Sequence, residues 1–298
     1  MNHHHSHKQS QKNLVLSIII NLVITIAQVV GGFISGSLAL LSDALHNFTD
    51  VVALVVSYVA HKFSIKSATF DRTFGYKRAE VIAAFVNSAS LIIIAIILIK
   101  EAVLSFLNPK EIISDLVIWL AVLAIVGNGI SVLLLAKDKK NNMNIESAYQ
   151  HLFSDMLGSI AVLVGGLLMK FYGYFWIDSV LTFAIALYLI IIGYQLFKES
   201  FTVLMLFTPN HIDVDKILQR VNDLPLVKHM HHVHIWQLNE HELHLEAEID
   251  FEEDITLSQF EDILESIERI LKDEYGINHI TIQPEFNKSD NKNIIVQD

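Results

Sequence analysis

The sequence predicts a membrane bundle of six transmembrane helices followed by a C-terminal cytoplasmic α+β domain. Three observations carry this reading. Of 298 residues, 52% are hydrophobic and only 18% charged, and the mean hydropathy is +0.45, a membrane-protein composition. Six apolar stretches, each long enough to cross about 30 Å of hydrocarbon, are separated by polar loops. Charge is uneven: residues 1–208 hold fourteen Lys and Arg against twelve Asp and Glu, whereas 209–298 hold seven against twenty. The second part is therefore a separate acidic domain, and its sign argues against nucleic acid as a partner. The chain has no cysteine, which excludes disulfides and thiolate metal sites.

The elements follow in order. Residues 1–13 carry His3, His4, His5 and His7 and read as a disordered cytoplasmic tail that collects metal weakly, rather than the stub of an affinity tag. The first apolar run, 14–34, has no small-residue cleavage site after it and reads as a retained helix. A Gly36-Ser37 turn leads into the second helix, 38–60. A basic loop with Lys62, Lys66, Arg72, Lys77 and Arg78 precedes the third helix, 79–106, which Asn108 and Pro109 close. The fourth, 116–136, contains no charge, and Lys137, Lys139 and Lys140 follow it. The fifth ends near Tyr172-Gly173 and the sixth covers 176–197. The expected division is a tail at 1–13, a membrane domain at 14–208 and a cytoplasmic domain at 209–298. Six spans put both termini and both basic loops on one side, with Lys100, Lys110 and Lys170 opposite. The positive-inside rule makes the first side cytoplasmic. Within 209–298, a helix at 214–221, a hairpin of strands 229–238 and 242–249, a helix at 257–271 and a strand at 277–282 give an α-β-β-α-β sandwich on one sheet.

One motif occurs twice inside the apolar runs. His46-Asn47-Phe48-Thr49-Asp50 and His151-Leu152-Phe153-Ser154-Asp155 share the pattern His, any residue, Phe, a hydroxyl residue, Asp. Ionisable side chains inside a bilayer cost a few kcal/mol or more. His and Asp four apart share one helix face, so two such helices side by side offer two imidazoles and two carboxylates. That set suits tetrahedral Zn²⁺, and two carboxylates cancel a divalent charge. A single copy reads equally well as an interhelical hydrogen bond; two matching copies favour a metal site. Asp43, Asn87, Asn128 and Asp178 are also polar inside the spans. Asp43 could line the cytoplasmic approach to His46, although hydrogen bonding between helices accounts for all four equally. Eight of the fifteen histidines lie in the tail domain. A His-rich strand is ordinarily a solvated face, but strand pairing is expected to bring His231 and His244 close enough to share a ligand, with Glu285 at the end of the last strand.

These pieces resemble the cation diffusion facilitator family, in its bacterial cobalt-zinc-cadmium efflux branch and the related eukaryotic zinc transporters. The resemblance covers Leu14 to Glu285. It rests on Ser37-Leu38-Ala39-Leu40 leading into Asp43-Ala44-Leu45-His46 and Asp50, on Phe74-Gly75-Tyr76-Lys77-Arg78-Ala79-Glu80, and on His151 with Asp155. His231-His232-Val233-His234-Ile235-Trp236 and His279-Ile280-Thr281-Ile282-Gln283 add to it in the tail. The resemblance implies that His46, Asp50, His151 and Asp155 form the transport site. It also implies a homodimer whose cytoplasmic domains have a metallochaperone-like fold and bind further metal, with His231, His244, His279 and Glu285 on or near those positions. Where some members bind a peripheral metal in the loop after the second helix, this chain has Phe70, Asp71, Arg72 and Tyr76, so no ligand is assigned there.

The expected function is export of Zn²⁺, with Cd²⁺ and Co²⁺ as alternatives, from the cytoplasm in exchange for protons by alternating access. His46 and His151 would couple the protons, because a protonated imidazole cannot ligate metal and the unperturbed pKa is about 6.5. Two rivals are weaker. An intramembrane metalloenzyme needs a general base and an open coordination position, and the chain has no His-Glu-x-x-His. A membrane-anchored metal sensor would not need paired ionisable groups in two helices.

Overall fold

The structure is a computed structural model that describes residues 3–136 and 143–296. Six helices are long and apolar enough to cross a membrane: α1 (His3–Ser35), α2 (Leu38–Ser64), α3 (Ala79–Leu107), α4 (Ser114–Leu135), α5 (Met143–Tyr172) and α6 (Trp176–Leu204). The 22 residues of α4 rise about 33 Å at 1.5 Å each. α1 starts at His3, so residues 3–13 are helical rather than the disordered tail the sequence suggested. Lys8, Gln9, Gln11 and Lys12 are good helix formers and no Gly or Pro interrupts them. Lys137, Lys139 and Lys140 of the second basic loop lie outside the described residues.

Two compact units emerge, one running to Val56 and from Val86 to Leu196, the other from Ser57 to Phe85 and from Phe197 onward. In the first, α1 is turned inside out relative to a helix of a water-soluble protein. Ser17, Asn21, Thr25 and Gln28 are buried while Ile19, Val23, Ile26 and Phe33 are exposed, which is the arrangement lipid requires of a helix with a polar stripe. Small residues let the helices approach. A Cβ on Gly127 of α4 would fall 2.3 Å from Ile24 of α1, and one on Gly166 of α5 would fall 3.0 Å from Ile118 of α4. One buried cluster joins Ala39 and Leu40 of α2 to Val117 and Ala121 of α4 and Val162 and Met169 of α5. Another joins Leu91, Ala95 and Leu98 of α3 to Ala186 and Leu189 of α6.

The start of α2 is held by a residue of α6. Asp178 accepts from Ser37 Oγ at 2.5 Å, Leu38 N at 2.7 Å and Ala39 N at 3.3 Å. These are backbone amides that a helix leaves unpaired in its first turn, here inside a buried setting.

The second unit carries α7 (Val214–Asn222), β1 (Val227–Asn239), β2 (Glu242–Phe251), α8 (Leu257–Tyr275) and β3 (His279–Glu285), the expected order with no end moved by more than four residues. β1 and β2 run antiparallel and β2 and β3 parallel, in the order β1-β2-β3. Ile217 and Val221 of α7 and Ile267 and Leu271 of α8 pack on one face against Ile235, Leu245, Ala247 and Ile249. Alternation along β2 then directs His244, Glu246, Glu248 and Asp250 to the opposite face. α8 begins with a capping box in which Thr256 and Gln259 satisfy each other's backbone amides. The hairpin end is tied within this unit, where Lys77 Nζ lies 2.6 Å from both carboxylate oxygens of Glu242.

Replacing Asp178 by Ala strands two amides and a hydroxyl, and should cost about 1–3 kcal/mol. The expected result is a lower melting temperature of the detergent-solubilised protein. An unchanged melting temperature would show that the cap contributes nothing.

Candidate metal centre

Within the first unit, helical periodicity places His46 one turn before Asp50 on α2 and His151 one turn before Asp155 on α5. The packing of α2 beside α5 brings the pairs together. His46 Nδ1 lies 3.5 Å from Asp50 Oδ2, which lies 3.5 Å from His151 Nε2, which lies 3.5 Å from Asp155 Oδ2. The imidazoles meet edge to face at 6.1 Å between centroids. These separations exceed ordinary hydrogen bonds. Four donors at about 2.0 Å from a tetrahedral Zn²⁺ would lie about 3.3 Å apart, so the chain of contacts supplies three of the six edges of such a shell. His46 Nδ1, Asp50 Oδ2 and Asp155 Oδ2 are buried without a hydrogen-bond partner among the described residues. A buried acceptor left this way costs the full desolvation penalty of its group, which a cation would relieve.

Two further groups border this chain. Tyr188 of α6 meets the His46 ring edge-on at 6.5 Å, a neighbour that an apolar helix gave no reason to single out. Asp43 is buried and accepts from Gln28 Nε2 at 2.8 Å and from Ser159 Oγ at 3.4 Å. It therefore ties α1, α2 and α5 together. It also lies one turn before His46, on the Gly36–Ser37 side of it.

In the second unit the four expected tail residues separate into two places. His231 pairs with Glu248 across β1 and β2, whereas His244 pairs with Trp236. Four residues of β2 therefore separate the two histidines' rows, about 14 Å at 3.4 Å per residue, and they cannot share an ion. His231 keeps company with Glu285: its Nε2 lies 3.3 Å from Glu248 Oε2 and 3.5 Å from Glu285 Oε2. His229 Nε2 lies 3.4 Å from Asp250 Oδ2. Two overlapping sets have donor atoms close enough to hold an ion, His229–His231–Asp250 and His231–Glu248–Glu285–Asp290. Glu248, Asp250 and Asp290 were not anticipated. The signal for Glu248 and Asp250 was the alternating acid pattern of Glu246, Glu248 and Asp250 on one strand face; Asp290, beyond β3, had none. One imidazole with several carboxylates is a borderline-to-hard donor set that fits Zn²⁺.

Two lysines stand in this cluster. Lys292 Nζ is 2.7 Å from Glu285 Oε2, 3.2 Å from Asp250 and 3.3 Å from His231 Nε2, and it also contacts Asp290. Lys288 contacts Glu285 and Asp290. Burial works to raise the Glu285 carboxyl, but hydrogen bonds from Lys288, Lys292 and Gln283 outweigh it and hold it below the usual carboxylate range. The Lys288 ammonium is pushed up to about 12 by Glu285 and Asp290.

His244 and His279 occupy the other end of the sheet. Their rings lie 4.3 Å apart, with Trp236 stacked on His244 at 5.2 Å and Phe74 edge-on at 5.8 Å. This is an aromatic stack, and among the described residues the donor groups close enough to hold an ion do not include it. Burial, followed by the neighbouring His279, holds the His244 imidazole below its ordinary value.

A six-span protein with ionisable groups gathered inside the bundle, joined to a small acidic domain, is the architecture of an integral membrane protein that handles cations. Residues 14–205 match the cation efflux transmembrane domain and 209–286 the cation efflux protein cytoplasmic domain. The cadmium, cobalt and zinc/H(+)-K(+) antiporter of Bacillus subtilis is 35% identical over 298 residues, covering 99% of this chain and 96% of that protein. The metal cation efflux system protein CzcD of Cupriavidus metallidurans is 33% identical over 282 residues, covering 94% and 89%. The zinc transporter ZitB of Escherichia coli is 32% identical over 298 residues, covering 96% and 93%. The chain belongs to the cation efflux, or cation diffusion facilitator, family and is a membrane transporter of metal cations, not an enzyme.

Because the folded pKa of His244 lies below the unfolded value, the unfolded chain takes up its proton first on acidification. Stability from this residue is complete above about pH 6.5 and falls as pH drops through that value. Substitution of His244 by Phe, which keeps a ring in the stack, should flatten that acid limb. Melting temperatures of both proteins between pH 5 and 8 check this; parallel curves would refute it.

Proposed function

We propose that this transporter exports Zn²⁺ from the cytoplasm in exchange for protons, by alternating access through His46, Asp50, His151 and Asp155. Cd²⁺ and Co²⁺ are secondary cargo, in line with the ions named for the relatives. The observation that carries the reading is the run of 3.5 Å contacts across α2 and α5 whose His46 Nδ1, Asp50 Oδ2 and Asp155 Oδ2 are buried and unpartnered. The imidazoles give the site its preference for a borderline ion, and the two carboxylates balance the cargo's charge. A proton on either imidazole removes a ligand, which links proton entry to metal release. Both termini are assigned to the cytoplasm from the Lys and Arg bias of the loops. The cytoplasmic domain is assigned to homodimerisation, supported by its family match, and to holding further Zn²⁺ on His231, Glu248 and Glu285 with Asp250 and His229 beside them.

Metal uptake by proteoliposomes under an imposed pH gradient tests the coupling, with K⁺ present and then absent from both sides. Asp155→Ala removes a ligand and one balancing charge, so flux should vanish while helical content and insertion remain normal. Wild-type flux in a well-inserted Asp155→Ala protein would sink the site as drawn.

His46→Asp keeps a ligand atom but replaces nitrogen by oxygen and adds a third negative charge. It should lose discrimination, accepting Cd²⁺ or Mn²⁺ better relative to Zn²⁺, and shift the pH profile. In the wild type, flux should fall as cytoplasmic pH falls, because protons compete with metal for His46 and His151. Flux measured against pH for Zn²⁺, Cd²⁺ and Mn²⁺ decides. Identical selectivity and pH dependence in the two proteins would remove His46 from the site.

A further inference from the structure

The cytoplasmic cluster already contains a cation, and it belongs to the chain. An ammonium has three donors and no acceptor, and Lys292 Nζ stands among three carboxylates, Glu285, Asp250 and Asp290, at 3.3 Å from His231 Nε2. That is the ring nitrogen a metal at this cluster would take. His231 Nε2 lies 3.3 and 3.5 Å from the facing oxygens of Glu248 and Glu285, and the ammonium beside them offsets the negative charge gathered there.

The segment bearing Lys292 is held by a second device. His232 N donates to Asn293 O at 3.1 Å, and Val233 N donates to Ile294 O at 2.8 Å. Consecutive amides of a regular strand point to opposite sides, so two in a row cannot meet one neighbour. β1 achieves this by a register break between His231 and His234, where His232 adopts φ +48°, a left-handed conformation uncommon for a residue with a side chain. Bulges of this kind re-aim side chains and terminate pairing. Here the bulge lies next to His231 and turns the amides of His232 and Val233 to the C-terminal segment.

We propose that Lys292 is a tethered counter-ion standing where the cytoplasmic domain's divalent metal binds, and that metal entry expels it and releases residues 288–294 from the edge of β1. The inference rests on the metal reading of this domain and adds its regulation. Metal occupancy is thereby converted into exposure of a strand edge, a surface suited to a further pairing segment. The sheet residues His231, Glu248 and Glu285, with Asp250 and His229, remain to hold the ion, while Lys288, Asp290 and Lys292 leave together.

The test uses the full chain in detergent with Asp155→Ala as background, so that the transmembrane site is silent. Zn²⁺ binding is counted by calorimetry, and amide hydrogen exchange is followed in the peptide containing His232 and Val233. His231→Ala should remove one bound Zn²⁺ per chain. If the count does not change, the metal reading fails and this inference falls with it. With metal bound to an intact site, exchange at His232–Val233 should accelerate by about tenfold or more as the covering hydrogen bonds open. An ion that merely pins the sheet would slow exchange there, and that result, or no change, overturns the strap while leaving the metal site standing. Lys292→Met should bind Zn²⁺ about tenfold more tightly and show fast exchange without metal. A chain ending after Asn287 should do the same and replaces Lys292→Met if that variant misfolds. Wild-type affinity in the folded variant overturns the proposal.

Discussion

Acceptor atoms buried without a compensating cation are the constraint on which the rest of this structure depends. The chain meets the problem twice. Across α2 and α5 it lines up His46, Asp50, His151 and Asp155 at 3.5 Å spacings, with His46 Nδ1, Asp50 Oδ2 and Asp155 Oδ2 buried and unpartnered among the described residues. In the cytoplasmic sheet it gathers His231, Glu248, Asp250 and Glu285. The first set meets no ammonium in those contacts, which suits the cargo site proposed there. The second holds Lys292, whose ammonium keeps the carboxylates of Glu248, Asp250, Glu285 and Asp290 from repelling one another.

The helices are arranged to make the first site possible. Lipid offers no hydrogen bonds, so a polar stripe must face inward and the apolar side outward; α1 shows this with Thr25 and Gln28 buried. Gln28 in turn holds Asp43, and Asp178 holds the first turn of α2. Both carboxylates act on the helix that carries His46 and Asp50, and each is bound by protein donors. Asp50 and Asp155 differ in that their close neighbours are imidazoles at distances too long for hydrogen bonds. That contrast separates carboxylates that hold the bundle from those that face the proposed cargo path.

In the tail domain the same kind of residue serves different ends according to register. His231 and His244 stand in one His-rich region, yet one faces a carboxylate cluster and the other an aromatic stack. Strand register shifted by the bulge near His232 decides this, and the chain beyond Glu285 completes the first environment by returning along β1.

The sequence by itself determined the six helices, the element order of the tail and the repeated His–Asp motif, because these rest on local periodicity and on the cost of charge in an apolar run. It indicated Glu285 as a partner for His231 only through its place at a strand end. The tertiary structure alone decided which tail residues meet. Pairing across β1 and β2 separates His231 from His244 by four residues and puts Glu248 and Asp250 in their place. It also revealed that Asp178 caps α2 and that Lys292 reaches His231, contacts 140 and 61 positions apart in the chain. No pattern of neighbouring residues encodes such contacts. They follow from packing, and packing is a property of the whole chain.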